Sequence, residues 1–165
     1  MTFDTSTRSL YRQSVGAMLI NANGQVFVGQ RRDTADDAWQ MPQGGIECGE
    51  APCDAVLREL KEETGTDKAA IVAQSDNWRC YDLPPEIAAK MWGGKYKGQR
   101  MKWFVLSFTG GDHDIDVERV AHPEFKTWKW IEPSKLPSVI VSFKKPLYED
   151  ILNEFESILK QFAAK

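Results

Sequence analysis

The sequence predicts an α/β fold in which a mixed β-sheet is sandwiched between helices. Runs of β-branched and aromatic residues recur along the chain, and two segments carry the apolar spacing of amphipathic helices. The two kinds of segment do not alternate in the regular order that a doubly wound parallel sheet requires.

The elements follow in order. Residues 14–20 are apolar, Asn21-Ala22-Asn23-Gly24 is a turn cluster, and residues 25–29 are again β-rich, which predicts a hairpin. RRDTADDA, residues 31–38, reads as a polar loop. Trp39-Gln40-Met41-Pro42 reads as a short strand entering Gln43-Gly44-Gly45, where paired glycines let the backbone turn or approach a ligand closely. Pro52 suits a first helical turn, Glu50 complements the positive helix end and Gly65 is a stop, so a helix is expected over 51–64. Strands are expected over 69–74, 78–83, 102–109 and 127–131, whereas 84–98 shows no clear period. Leu147, Ile151, Phe155, Ile158 and Phe162 recur at helical spacing and predict a closing amphipathic helix that packs on the sheet.

A length of 165 residues fits one domain over 1–165. With 42% hydrophobic and 27% charged residues the chain reads as an ordinary folded protein. Its net charge of -3 argues against gripping long nucleic acid through bulk charge, so no DNA partner is expected. No apolar run is long enough to span a membrane, and no signal-peptide pattern opens the chain. Cys48, Cys53 and Cys80 form neither a metal-type pair nor an even disulfide set, which suits a reducing, cytoplasmic location.

The helix over 51–64 poses a physical question. Cys53, Val56, Leu57, Leu60 and Thr64 fall in one arc and form its expected buried face. Glu59, Glu62 and Glu63 share the neighbouring arc, with Glu63 at the edge of the apolar stripe. Like charges so placed repel one another, and more strongly where water is excluded, whereas a divalent cation reverses the sign. Oxygen ligands favour Mg²⁺ or Mn²⁺. A solvated acidic face with Arg58 paired to Glu62 is the bland alternative.

The full pattern decides against it. Gly44, five residues, Glu50, seven residues, Arg58-Glu59-Leu60, one residue, Glu62-Glu63, one residue and Gly65 closely resemble the Nudix box. Only the last position, Thr66, departs from the aliphatic residue usual in the family. The resemblance implies an α/β/α sandwich, divalent metals held by the glutamates, and substrates in which a nucleoside diphosphate is linked to another group. It makes Glu59, Glu62 and Glu63 metal ligands, adds the Gly44 carbonyl, and gives Arg58 and Glu50 the task of orienting the ligands and the loop.

Outside the box, Trp39 to Gly45 together with Gly98-Gln99, Lys102-Trp103-Phe104, Pro123-Glu124-Phe125 and Val141-Ser142-Phe143-Lys144 resemble one branch of the family. That branch comprises bacterial RNA pyrophosphohydrolases and dinucleoside polyphosphate hydrolases. By this likeness Glu124 joins the metals from a separate loop and assists the attacking water. Arg12, Arg32, Lys102 and Lys144 meet phosphates, Tyr81 and Phe143 stack on a base, and Gln99 and Ser142 hydrogen-bond the substrate.

The implied reaction is Mg²⁺-dependent hydrolysis of a phosphoanhydride bond, with Glu124 or a box glutamate accepting the proton. The implied substrates are 5′-triphosphorylated RNA ends, converted to 5′-monophosphate RNA as in mRNA decay, or dinucleoside polyphosphates; no protein partner is legible. The rivals are a pyrophosphatase for ADP-ribose or an oxidised nucleoside triphosphate, and a Nudix module that binds nucleotides without cleaving them. The second would be expected to lack a box glutamate, and all are present.

Overall fold

The computed structural model describes residues 10–34 and 37–164. The middle of the polar loop, residues 35 and 36, lies outside them.

Strands β1 (Tyr11–Ile20) and β2 (Val26–Arg31) form the expected hairpin, closed by Asn21, whose side chain accepts from the Asn23 and Gln25 amides. The two strands pair antiparallel at Ile20↔Val26, and β2 is then matched along its length by β8 (Phe125–Ile131). The N-terminal half of β1 is left to β4 (Gln43–Gly45), which pairs with it over Ser14 to Gly16. Strand β3 (Trp39–Gln40) pairs with β2. On its other side β1 runs parallel to β7 (Gly98–Phe108), which also carries β5 (Ala69–Gln74) and β6 (Arg79–Asp82) antiparallel. The sheet is therefore mixed, as expected, and β7 begins four residues before the expected strand.

Helix α1 (Pro52–Thr64) lies on one face of the sheet. Its Ala55, Val56 and Leu60 pack with Val15, Ala17, Leu19, Phe27, Phe104 and Phe125. Pro52 stands in the first turn, and Gly65 closes the helix at φ 79°, a left-handed conformation suited to glycine. The buried stripe is rotated from the expected one. Cys53 is exposed and Leu57 only half-buried, while Glu63 is 6% exposed and belongs to the interior.

The opposite face is covered from the C-terminal end. Short helices α2 (Pro85–Ala88) and α3 (Leu136–Val139) precede α4 (Lys145–Glu154) and α5 (Glu156–Ala163). Leu136, Leu147, Tyr148, Ile151 and Phe155 pack there against Met18, Val28, Met101, Trp103 and Val105. The single closing helix expected from apolar spacing is two helices, interrupted at Phe155 (φ -96°, ψ 10°). Periodicity alone cannot register that break, because the apolar spacing continues across it.

Candidate active site

The box loop is built on hydrogen bonds from Arg58. Its Nε and Nη2 donate to the two oxygens of Glu50 at 2.8 and 2.9 Å, and Nη2 also reaches the Gly45 carbonyl at 2.8 Å. Nη1 donates to Glu59 at 2.9 Å and to Glu62 at 3.1 Å. Glu50 also accepts from the Glu47 amide at 3.0 Å, so one planar guanidinium ties the loop to the helix. The Arg58 guanidinium holds the Glu50 carboxyl down to about 2, with the Glu47 amide adding to the effect.

Glu59 and Glu63 rise from α1 beside β4. A Cβ on Gly44 would lie 2.0 Å from Glu59 Cδ, so the Glu59 carboxylate occupies the space that glycine leaves. Glu63 accepts from the Gln43 amide at 3.2 Å. Burial pushes its carboxyl well above the usual range, and the charges of Glu59 and then Glu124 push it further. Glu59 is raised too, by burial, against the pull of Arg58.

Acidic groups held together at this depth, all with oxygen donors and with glycine leaving room, fit a divalent cation. Among the described residues no three acidic, histidine or cysteine side chains converge as they stand on one ion position. Glu59 and Glu62 are turned to Arg58, and Glu63 to the Gln43 amide.

Above these carboxylates opens a cleft of about 940 Å³. Glu59, Glu62, Glu63, Gly44 and Glu124 line it together with Arg12, Arg31, Tyr81, Gln99, Phe143 and Lys144. Most of the residues singled out from sequence are thus brought together from β1, β4, α1, β6, β7 and two loops. Glu124 is exposed, and its backbone carbonyl is fixed by the Arg32 amide at 3.0 Å. Lys144 is 4% exposed, its ammonium 3.4 Å from Gln43 Oε1 and 5.5 Å above the Tyr81 ring. Burial brings it down to about 8, the Arg31 charge acting in the same direction and Glu63 against it. Tyr81 and Phe143 lie with ring centroids 6.3 Å apart.

Three expected contacts are placed differently, and a fourth, Gln99, lines the cleft with its side chain already engaged. Arg32 is exposed, and Arg31, paired with Asp33, lines the cleft instead. Lys102 is not among the cleft-lining residues: its strand position pairs with Val15, on the α1 face, opposite Gln99 and Met101. Ser142 faces a neighbouring pocket of about 490 Å³ with Trp39 and Ser138. Gln99 is engaged on both sides, accepting from the Ser14 hydroxyl and donating to the Tyr81 hydroxyl at 2.6 Å, so it braces the Tyr81 wall.

Sequence reasoning missed Arg31, Gln43 and Trp92 as cleft residues. Gln43 precedes Gly44 directly and carried a usable signal in that adjacency. Trp92 sits in the stretch without period and carried none.

Known proteins resemble this chain in sequence and in fold. A curated RNA pyrophosphohydrolase from Rhodospirillum rubrum is 51% identical over 144 residues, covering 87% of this chain and 86% of the relative. One from Roseobacter denitrificans is 48% identical over 161 residues, covering 96% of this chain and the whole relative. Among solved structures, a C. elegans Ap4A hydrolase complex superposes with a TM-score of 0.65 at 18% identity, covering 91% of this chain and 98% of that one. The E. coli dihydroneopterin triphosphate pyrophosphohydrolase gives 0.65 at 20%, covering 86% and 96%. These two show the shared fold. The family profile described as NUDIX domain matches residues 10–151, from the first strand through the box helix to α4, and by that span the chain belongs to the NUDIX family.

Proposed function

We propose that this hydrolase cleaves the phosphoanhydride bonds of 5′-triphosphorylated RNA, leaving a 5′-monophosphate end and releasing pyrophosphate or phosphate. One observation carries the reading: the carboxylates of Glu59, Glu62, Glu63 and Glu124 line a single cleft together with the cations of Arg12, Arg31 and Lys144. A polyphosphate placed there would meet both a divalent ion held by the carboxylates and the cations Arg12, Arg31 and Lys144. The RNA substrate is favoured over other polyphosphates by the activity named for relatives about half identical over most of this chain.

Glu59, Glu62, Glu63 and Glu124, with the Gly44 carbonyl, are the residues that would hold Mg²⁺ or Mn²⁺. When bound, the ion neutralises phosphate charge and makes a water more acidic. Glu124, exposed at the cleft with its backbone carbonyl held by the Arg32 amide, would accept the proton of the attacking water. Arg12 grips the polyphosphate and Lys144 stabilises charge on the departing phosphate, while Tyr81 and Phe143 form an aromatic wall for a base. No covalent nucleophile is needed. Both core layers share one sheet, which supports a single catalytic domain over 1–165, and three free cysteines suit work in the cytoplasm. No helix among the described residues is long and apolar enough to cross a membrane.

Dinucleoside polyphosphates are a second substrate class, favoured by the rings of Tyr81, Trp92 and Phe143 that line the same cleft of about 940 Å³. Incubation with Mg²⁺ and triphosphorylated RNA, diadenosine tetraphosphate, ADP-ribose and nucleoside triphosphates, ranked by kcat/KM, tests the assignment. RNA should rank first; ADP-ribose or a nucleoside triphosphate ranking first would reject it.

A further inference from the structure

The stretch 84–97 links β6 to β7 and rises as a rim over the cleft. Backbone bonds from the Leu83 amide to the Lys97 carbonyl (2.8 Å) and from the Lys97 amide to the Leu10 carbonyl (2.9 Å) anchor its base. Neither α2 nor the 3-10 turn Met91–Gly94 contains a fully buried residue, yet Ile87, Met91 and Trp92 line the cleft.

Trp92 has φ 49° and ψ 35°, and it is the only non-glycine residue among those described with a positive φ. A left-handed backbone forces a Cβ against the following carbonyl, and a bulky residue keeps it only where its surroundings over-determine it. Gly93 and Gly94 continue the turn at φ 67° and 73°. The Trp92 ring is held on two sides: the Arg12 guanidinium lies 4.8 Å above its centroid, and Tyr96 meets it edge-on at 6.1 Å. Arg12 is confined in turn by the box, since a Cβ on Gly45 would lie 2.3 Å from Arg12 Nη2.

We propose that Trp92 is a positioning residue, which presses its ring on Arg12 and holds that guanidinium against Gly45 at the end of β4, where the polyphosphate must pass. The inference rests on reading the cleft as a polyphosphate site. Without the ring, Arg12 regains the rotamer freedom of a long side chain, and part of its phosphate contact is lost to ordering it again. The effect falls on substrate binding, because Arg12 meets phosphate before as well as during reaction.

Steady-state kinetics with triphosphorylated RNA and Mg²⁺ test this on Trp92→Leu, Trp92→Phe, Arg12→Ala and the Trp92→Leu/Arg12→Ala double variant. Trp92→Leu should raise KM about tenfold with kcat nearly unchanged, the size of one partly desolvated cation–π contact. Trp92→Phe should recover most of the loss, and Trp92→Leu should add nothing once Arg12 is alanine. The proposal is overturned if leucine serves as well as phenylalanine, if kcat alone falls, or if the two single losses multiply in the double variant. Loss of folding in Trp92→Leu, read by circular dichroism, would also overturn it in favour of a packing role. Failure of the wild-type enzyme to cleave any polyphosphate would reject the reading of the cleft itself, a result distinct from active enzyme without Trp92–Arg12 coupling.

Discussion

Lys144 shows how burial sets the chemistry of a single side chain. Its ammonium is brought down to about 8 from an ordinary 10.5, with burial the leading cause. Between those two values the folded chain binds fewer protons than the unfolded one, so stability rises with pH there, and the burial penalty is fully present only below about 8. Thermal melts of substrate-free protein should therefore show stability climbing from pH 8 towards 10.5 relative to Lys144→Met; parallel curves would contradict the shift. Turnover should respond oppositely, KM rising above pH 8 as the phosphate-facing charge is lost. Gly44 offers a second test at one position. Gly44→Ala places a methyl where Glu59 lies, and kcat/KM should fall about 10- to 100-fold with little change in Tm, a loss of the size seen when groups supporting metal ligands are disturbed. The glutamates were legible because their spacing is fixed by the helix. Arg31 was not, because two arginines stand side by side where β2 ends, and composition alone does not say which of them lines the cleft.

At the scale of elements, the loop and α1 act as one unit because Arg58 bonds to both. Glu50, the Gly45 carbonyl, Glu59 and Glu62 all accept from it. Arg58→Lys keeps the charge but loses the planar fork, so the glutamates should lose alignment and apparent Mg²⁺ affinity should drop about 10- to 100-fold, measurable as a higher Mg²⁺ requirement for turnover. Unchanged Mg²⁺ dependence would show that the carboxylates hold their positions unaided. The helix itself was readable from Pro52, Gly65 and its apolar period, and it ends as expected. Its rotation was harder to foresee. An arc drawn through apolar residues includes Cys53 and omits Glu63, whereas the sheet buries the position facing β4 whatever its polarity. The rim at 84–97 was illegible for a different reason: a left-handed tryptophan follows no period and no turn rule.

Across the whole molecule, the two faces of the sheet have separate duties that meet at the cleft. α1 on one face supplies carboxylates, and the C-terminal layer on the other supplies Phe143 and Lys144 through the turn that precedes α4. Tyr148 of α4 links that layer to the segment leading into the box, its hydroxyl accepting from the buried Met41 amide at 2.9 Å. Tyr148→Phe should destabilise the fold by about 1 to 3 kcal/mol, the cost of a buried amide left without a partner, as seen in chemical denaturation. A midpoint equal to wild type would mean that the amide finds another acceptor. The mixed sheet and its helical cover followed from segment types, but the divergence of β1 from β2 that admits β4 depends on long-range pairing that local residues do not encode. The proposed hydrolysis depends on the acidic floor of the cleft attracting a divalent ion. Calorimetric titration of Mn²⁺ into wild-type, Glu62→Gln and Glu63→Gln protein tests that most directly: binding to the wild type, strongly weakened in both folded variants with turnover abolished, is the predicted result. Equal heats in all three proteins, or near-wild-type turnover by both variants, would contradict it.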